Sequence, residues 1–539
     1  MKIQKILKPS LVLCGLAFVL GGCGKAQADQ KAKQVLNWSS GAELTTIDSS
    51  LAIDSTSFDI INNSMEGLYR YTKNNQVKPT LAQKVSVSDD GLTYKVDLKK
   101  NTKWSNGQTV TAQDFVYGWQ RTVDLKTGSQ YCYLYDGIKN ANAIMEGQKE
   151  PQELGIKATG KYQLEITLEK NIPYFKLLLG FPSFYPQNQD AVQKYGKKYG
   201  TAAKYIVYNG PFVLKGWSGS SLTWKLVKNN AYWDKKDVKL QAVNFKVNKT
   251  TSTSYNMYQD KQLDMTPLSS EQAQHLTKDP GYTVGKQSQT YYIDFNQDKA
   301  LFKNQNIRQA IAAAINKKQL ANEVLGGSAQ AIDTVVAKSL VQQDGVDFTK
   351  AISNKGMSFN KKNAKKLWQT GLSELGLDKV SITLLIQDTD TAKKVGEYLQ
   401  SSLEQTLPNL TVNVSSVPLK TALDRAEAGD YDITVSSWGA DFADPITYLD
   451  LFTSDNTNNY GRYKNSQYDQ LIEASRQQDV NDPAKRWQDL IAASDLLNEQ
   501  QGIVPLYQSK QAMLVRSNVK GLIINSSGGT YTWKNVEIK

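Results

Sequence analysis

Residues 381–438 contain three short apolar runs, SITLLIQD (381–388), LTVNVS (410–415) and YDITVSSW (431–438). Each is a strand candidate by length and by its β-branched content. Between the first two lies TAKKVGEYLQSSLEQTL (391–407), which sets Val395, Leu399, Leu403 and Leu407 on one helical face. A shorter helix is expected around 419–428. Strands separated by helices of this length specify βαβ units and a parallel sheet covered by helices. An α/β domain is therefore expected within 300–500. Just upstream, NQNIRQAIAAAI (304–315) spaces Ile307, Ile311 and Ile315 four residues apart, a buried helical stripe. The GGS at 326–328 reads as the stop of a helix rather than as a phosphate loop.

At the carboxyl end of the third strand stands WGADFADPITYLD (438–450). Ligands of open α/β sheets bind in the crevice beyond the carboxyl ends of the strands. The two leading acids separate by position. Asp444 precedes Pro445 and the apolar run ITYLDLF, which fits an N-cap followed by proline at the first helical position. Asp441 has no such local task. It is either a solvated loop aspartate or a carboxylate that meets a cation, with Trp438 as an apolar wall. A hydrolase would need a second acid set against Asp441, and the spacing supplies none.

The first half has a different texture. LTYKVDL (92–98), YQLEITL (162–168) and LTWKLVKN (222–229) alternate as half-buried strands, punctuated by DDG, SNG and YNGPF. TAQDFVYGWQRTVD (111–124) reads as a helix capped by Thr111 with Asp114 three residues on. Trp119 and the Tyr131, Tyr133, Tyr135 series are either core rings or the lining of a groove.

The N-terminus reads as a targeting segment: Lys2, Lys5 and Lys8, then SLVLCGLAFVL, which is shorter than the ~20 residues a spanning helix needs. It ends in LGGC (20–23), followed by the polar stretch GKAQADQKAKQ (24–34), which reads as a tether. Either this is a plain secretory signal with an incidental cysteine, or the Cys23 thiol takes a lipid. Removing residues 1–22 leaves 517 residues, enough for two or three domains. The formal charge of +12 falls to +9 with the signal gone, and the remaining lysines are scattered among 52 acids rather than gathered in a stripe. Nucleic-acid binding is not indicated. Cys132 lies alone in YCYLYDG, and the chain has one histidine, His275, so neither a thiol nucleophile with its base nor a histidine metal site is indicated. The acids of IDSSLAIDSTSFD (47–59) lack the glycine and final glutamate of an EF-hand loop. No metal or cofactor is expected.

Taken together, VLNWSSGAELTTIDSS, WSNGQTVTAQDFVYGWQRTVDLKTGSQYCYLYDGIKNA, YNGPF, FNQDKALFKNQNIRQAIAAAINK and YDITVSSWGADFADPITYLDLF resemble, in this order, the bacterial extracellular solute-binding proteins of family 5. They are most similar to the oligopeptide-binding lipoproteins of ABC importers, especially those of low-GC Gram-positive bacteria. The resemblance implies a periplasmic-binding-protein-like type II α/β fold with an additional inserted domain, two lobes and a hinged cleft. It implies a discontinuous first domain (35–75, 200–295 and 500–539), an inserted second domain (76–199) and an α/β third domain (296–499), after a signal peptide (1–22) and tether (23–34). It makes LGGC a lipobox with Cys23 as the lipid-attachment residue, Asp441 the grip on a peptide α-amino group and Trp438 its neighbour. The function implied is non-enzymatic: capture of extracellular oligopeptides and delivery to an ABC permease, by a monomer anchored on the outer face of the cytoplasmic membrane. A receptor for one hydrophobic signalling peptide is the runner-up. Surface adhesion and hydrolysis are the readings from other classes.

Overall fold

The computed structural model describes residues 33–539 apart from Gly528, so the targeting segment and Cys23 lie outside the described residues. No helix among the described residues is long and apolar enough to cross a membrane.

The three runs of 381–438 form the strands Val380–Gln387, Leu410–Val417 and Ile433–Trp438. The segments between them form the helices Asp390–Thr406 and Leu419–Ala428. The first strand lies between the other two and runs parallel to both. Its Ile382, Leu384 and Ile386 are buried against Val395, Leu399 and Leu403 of the covering helix. The helix can come this close because Gly396 faces Ile386; a Cβ at Gly396 would lie 2.8 Å from Ile386 Cδ1. The isoleucine stripe upstream lies on the helix Gln305–Ala313, which packs on Lys361–Leu375, with Ile307, Ile311 and Trp368 fully buried.

The three expected strands are parallel to one another, but the sheet they belong to is mixed. Ile433–Trp438 pairs antiparallel with Tyr282–Phe295, which pairs antiparallel with Ile503–Val515. Beyond these the sheet continues through Met265–Pro267, Val35–Ser40, Ala242–Val247, Thr223–Lys228 and Phe212–Lys215. The two long strands of 14 and 13 residues thus carry one mixed sheet from the α/β part to strands drawn from residues 35–40 and 212–267. Their pairing shifts register between Lys286 and Thr290 and again between Tyr291 and Tyr292, which bends and twists a ribbon locally.

A separate antiparallel sheet of four strands, in the order Ala82–Val87, Thr93–Leu98, Gln163–Thr167 and Ile156–Gly160, lies within the first half. The helix Ala112–Val123 begins as its sequence predicts: the Asp114 carboxylate accepts the Thr111 N–H at 2.7 Å. Trp119 is buried, and its Nε1 donates to the Phe184 carbonyl at 2.9 Å.

Candidate functional site

The loop after Ile433–Trp438 is held from two sides. Ala440 N–H donates to Ser288 Oγ at 2.9 Å, and the Tyr448 hydroxyl donates to the Ser288 carbonyl. Gly439 passes so close to the neighbouring strand that a Cβ there would lie 2.7 Å from Gln289 Oε1. Asp444 does cap the short helix Ile446–Leu449, accepting the Ile446 N–H at 3.0 Å. Its larger commitment is to Arg486, which donates to both carboxylate oxygens at 2.8 Å with both side chains buried. Such a fork fixes the plane of the carboxylate as well as its charge. The sequence reading found the cap and missed the arginine, which is 42 residues away.

Asp441 and Trp438 both line a cavity of about 1150 Å³ that opens between this loop and residues 130–178. The Tyr133 hydroxyl donates to Asp441 Oδ2 at 2.9 Å, and Asp441's own N–H donates to Thr447 Oγ1 at 3.3 Å. Burial pushes the Asp441 carboxyl up to about 6, against hydrogen bonds from the Tyr133 and Thr447 hydroxyls that lower it. No cation acts on it among the described residues. The same carboxylate, after burial, holds the Tyr133 hydroxyl above its ordinary range. Asp441 is therefore a partly buried acid supplied with hydroxyl donors and no counter-ion, and it faces an open cavity. Such a group is costly unless a cation arrives.

The walls are aromatic. Tyr174 and Phe442 stack at 4.2 Å between centroids and 12° between planes, and Tyr131 stacks on Phe181 at 5.4 Å. Trp438 is partly buried and its Nε1 has no partner among the described residues. The tyrosine series divides. Tyr131 and Tyr133 line the cavity, while Tyr135 is fully buried, stacks on Phe184 and donates to the Ser183 carbonyl at 2.8 Å. Among the other charges of the cavity, Lys170 pairs with Asp136 at 2.8 Å, Arg476 with Asp450, and Arg486 with Asp444. Cys132, next to Tyr133, is partly buried, and burial raises its thiol away from the reactive thiolate. Neither Tyr133 nor Tyr174, which stacks on Phe442 of the loop, was singled out by the sequence as a partner of this loop. The only hint was the clustering of tyrosines at 131–135.

Residues 76–460 match the family model for bacterial extracellular solute-binding proteins, family 5. The chain belongs to this family. It is 37% identical to the dipeptide-binding protein of Lactococcus lactis subsp. cremoris (strain MG1363), over the whole length of both. Among solved structures it is similar to the peptide-bound OppA of Listeria monocytogenes, with a TM-score of 0.79, 37% identity, and coverage of 94% of this chain and 99% of that one. It is likewise similar to the pheromone receptor PrgZ, with a TM-score of 0.80, 36% identity, and coverage of 94% of this chain and 100% of that one. The fold is thus the two-lobed, hinged α/β architecture of these proteins. Family membership places the chain among solute-binding proteins and not among enzymes, which disposes of the hydrolase alternative.

Proposed function

We propose that the protein captures oligopeptides in the cleft beside Asp441 and delivers them to an ABC permease, with Asp441 as the contact for the peptide α-ammonium group and Trp438 as a wall beside the first residues. The observation that carries this reading is the Asp441 carboxylate itself, partly buried, held by Tyr133 and without a cation, at the edge of a large aromatic cavity. A peptide amine provides the missing charge. The likeness to a dipeptide-binding protein and to a peptide-bound OppA supports the choice of ligand. Calorimetry with one pentapeptide in free-amine and N-acetylated forms tests it. The free amine should bind at least 30-fold more tightly, the lower end of what a desolvated charge contact contributes, about 2–5 kcal/mol. Equal affinities would remove Asp441 from this role.

A specialist receptor for a hydrophobic signalling peptide is the second reading. The aromatic lining from Tyr131, Tyr133, Tyr174 and Phe442 favours it, as does the likeness to PrgZ. Tight binding of one hydrophobic sequence with no affinity for a random pentapeptide pool would select it.

The same proposal includes a monomer anchored through lipid on Cys23 at the outer face of the membrane of a Gram-positive bacterium, after loss of residues 1–22. Two acyl chains on that thiol give durable anchoring where one is marginal. Mass spectrometry of membrane-extracted protein should find diacylglycerol on Cys23, and C23A should leave the membrane fraction or accumulate as precursor. The proposal also keeps the division into 35–75, 200–295 and 500–539, an inserted 76–199, and 296–499. The adjacency of Val35–Ser40, Ala242–Val247 and Ile503–Val515 in one sheet, and the separate sheet within 82–167, support that division.

A further inference from the structure

A second cavity of about 710 Å³ meets the first at Gln289, which lines both. Its wall is a chain of rings drawn from distant parts of the sequence. Trp38 lies edge-on to Tyr531 at 4.8 Å and to Trp533 at 5.4 Å, and Phe245 lies edge-on to Trp533 at 5.1 Å. Beside them, on the helix Ser55–Ser64, is Asp59, 8% exposed and part of the lining. Asp59 Oδ1 accepts the Thr530 and Tyr531 N–H groups at 2.6 and 2.9 Å, and Asn63 Oδ1 accepts the Trp533 N–H at 2.9 Å. The helix therefore holds both the carboxylate and the ring-bearing segment in place. The cavity's lysine, Lys249, is already paired with Glu43 at 3.2 Å, and both side chains are largely exposed. That leaves Asp59 as the uncompensated charge of the lining. Three buried donors of lining residues, Trp224 Nε1, Trp533 Nε1 and Asn525 Nδ2, have no partner among the described residues.

A buried carboxylate in an aromatic-walled cavity is an arrangement that selects a cation. The unpartnered donors ask in addition for ligand carbonyl oxygens nearby. A lysine or arginine residue within a peptide supplies both: a cationic tip on an apolar stem, and a backbone carbonyl. We propose that this second cavity is a subsite for a lysine or arginine side chain of the captured peptide, with Asp59 as its counter-ion and the rings of Trp38 and Tyr531 as its walls. The assignment rests on the peptide-binding reading above and extends it from a grip on the amine to a preference in sequence. Burial pushes the Asp59 carboxyl up to about 7, the two backbone N–H groups working against it and Asp54 with it. An arriving ammonium or guanidinium is the partner that would hold it ionised.

The test is a positional scan by calorimetry on the full mature chain. The probes are free-amine pentapeptides of alanine carrying a single lysine, ε-acetyl-lysine, norleucine or glutamate at positions 2 to 5. At one position lysine should exceed norleucine and ε-acetyl-lysine by about 10-fold or more, as for a desolvated ion pair, and glutamate should be worst. In D59N the ratio of lysine to norleucine at that position should fall to about 1. A scan with no position favouring lysine in the wild type overturns the assignment without any variant, as does glutamate favoured over norleucine or a lysine preference that survives D59N in protein with an unchanged thermal melt. Failure of the all-alanine pentapeptide to bind would strike instead at the peptide-binding reading itself.

Discussion

The acid at position 441 should make peptide capture depend on pH in a form that distinguishes it from any other anchor. Before ligand arrives, burial holds its carboxyl at about 6, so it is about 90% ionised at pH 7 and about 10% ionised at pH 5. Once an ammonium group lies against it the carboxyl pKa drops, because the charged form now has a partner. Binding therefore releases a proton below pH 6, and the apparent affinity should fall about 10-fold between pH 7 and pH 5. On the alkaline side the peptide's own α-amine, with an ordinary value near ~8, loses its charge and affinity falls again. A plateau between about pH 6 and 8 is the expected profile. Asp441→Asn keeps the Tyr133 contact and removes the charge. It should cost about 2–5 kcal/mol at pH 7 and abolish the acid limb. N-acetylated peptide should show neither limb on the wild type. The assay is tryptophan fluorescence or calorimetry with one pentapeptide from pH 4.5 to 9. A flat acid limb for the free-amine peptide, or an equally steep one in D441N, would refute the argument.

Asp294 is 2% exposed, and burial raises its carboxyl to about 7 against a hydrogen bond from Ser436. A raised carboxyl pKa favours the folded state fully below the ordinary 3.8 and loses that benefit as pH rises through about 7. D294N, which mimics the protonated form, should therefore gain stability over the wild type between pH 4 and pH 8, by up to about 3–4 kcal/mol in urea denaturation; a pH-independent difference would contradict this. R486M leaves the buried Asp444 carboxylate without its partner and should destabilise the fold by about 3–5 kcal/mol, with D444L in the same chain restoring part of the loss. The Tyr174–Phe442 stack joins residues 76–199 to the Asp441 loop. Y174A should raise the peptide dissociation rate about 2–10-fold in stopped-flow, the worth of one aromatic pair, and an unchanged rate would show that this contact does not hold the cleft shut.

The βαβ pattern of 381–438 was legible because each of its elements carries its own local signal: short apolar, β-branched runs in the strands and a four-residue stripe in Asp390–Thr406. The local half of the Asp444 reading was legible for the same reason, a cap being set within three residues. The rest depends on pairs that no window contains. Tyr133 meets Asp441 across 308 residues, Arg486 meets Asp444 across 42, and Thr530 meets Asp59 across 471. The antiparallel neighbour of Ile433–Trp438 was equally out of reach, because Tyr282–Phe295 becomes adjacent only when the sheet assembles. Asp59 lay within a stretch weighed only as a calcium loop. What makes it a candidate ligand group is the company of Trp38 and Tyr531, brought from the two ends of the chain.

That long-range pairing also explains how a contact at Asp441 reaches the rest of the molecule. Tyr282–Phe295 pairs with Ile433–Trp438 through Thr290–Phe295, while its first half runs along Lys510–Leu514, whose strand also pairs with Met265–Pro267. The two halves meet at residues 287–289, where the pairing with Ile503–Val515 is interrupted. Ser288 is there, accepting the Ala440 N–H with its hydroxyl and the Tyr448 hydroxyl with its carbonyl, and Gln289 lies against Gly439. The loop that presents Asp441 is thus fastened to the point at which the connecting strand is irregular and locally bent. The same loop is fastened elsewhere by the Asp444–Arg486 fork and the Tyr174–Phe442 stack, so a ligand bound at Asp441 would touch a loop tied both to this strand and to residues 130–178.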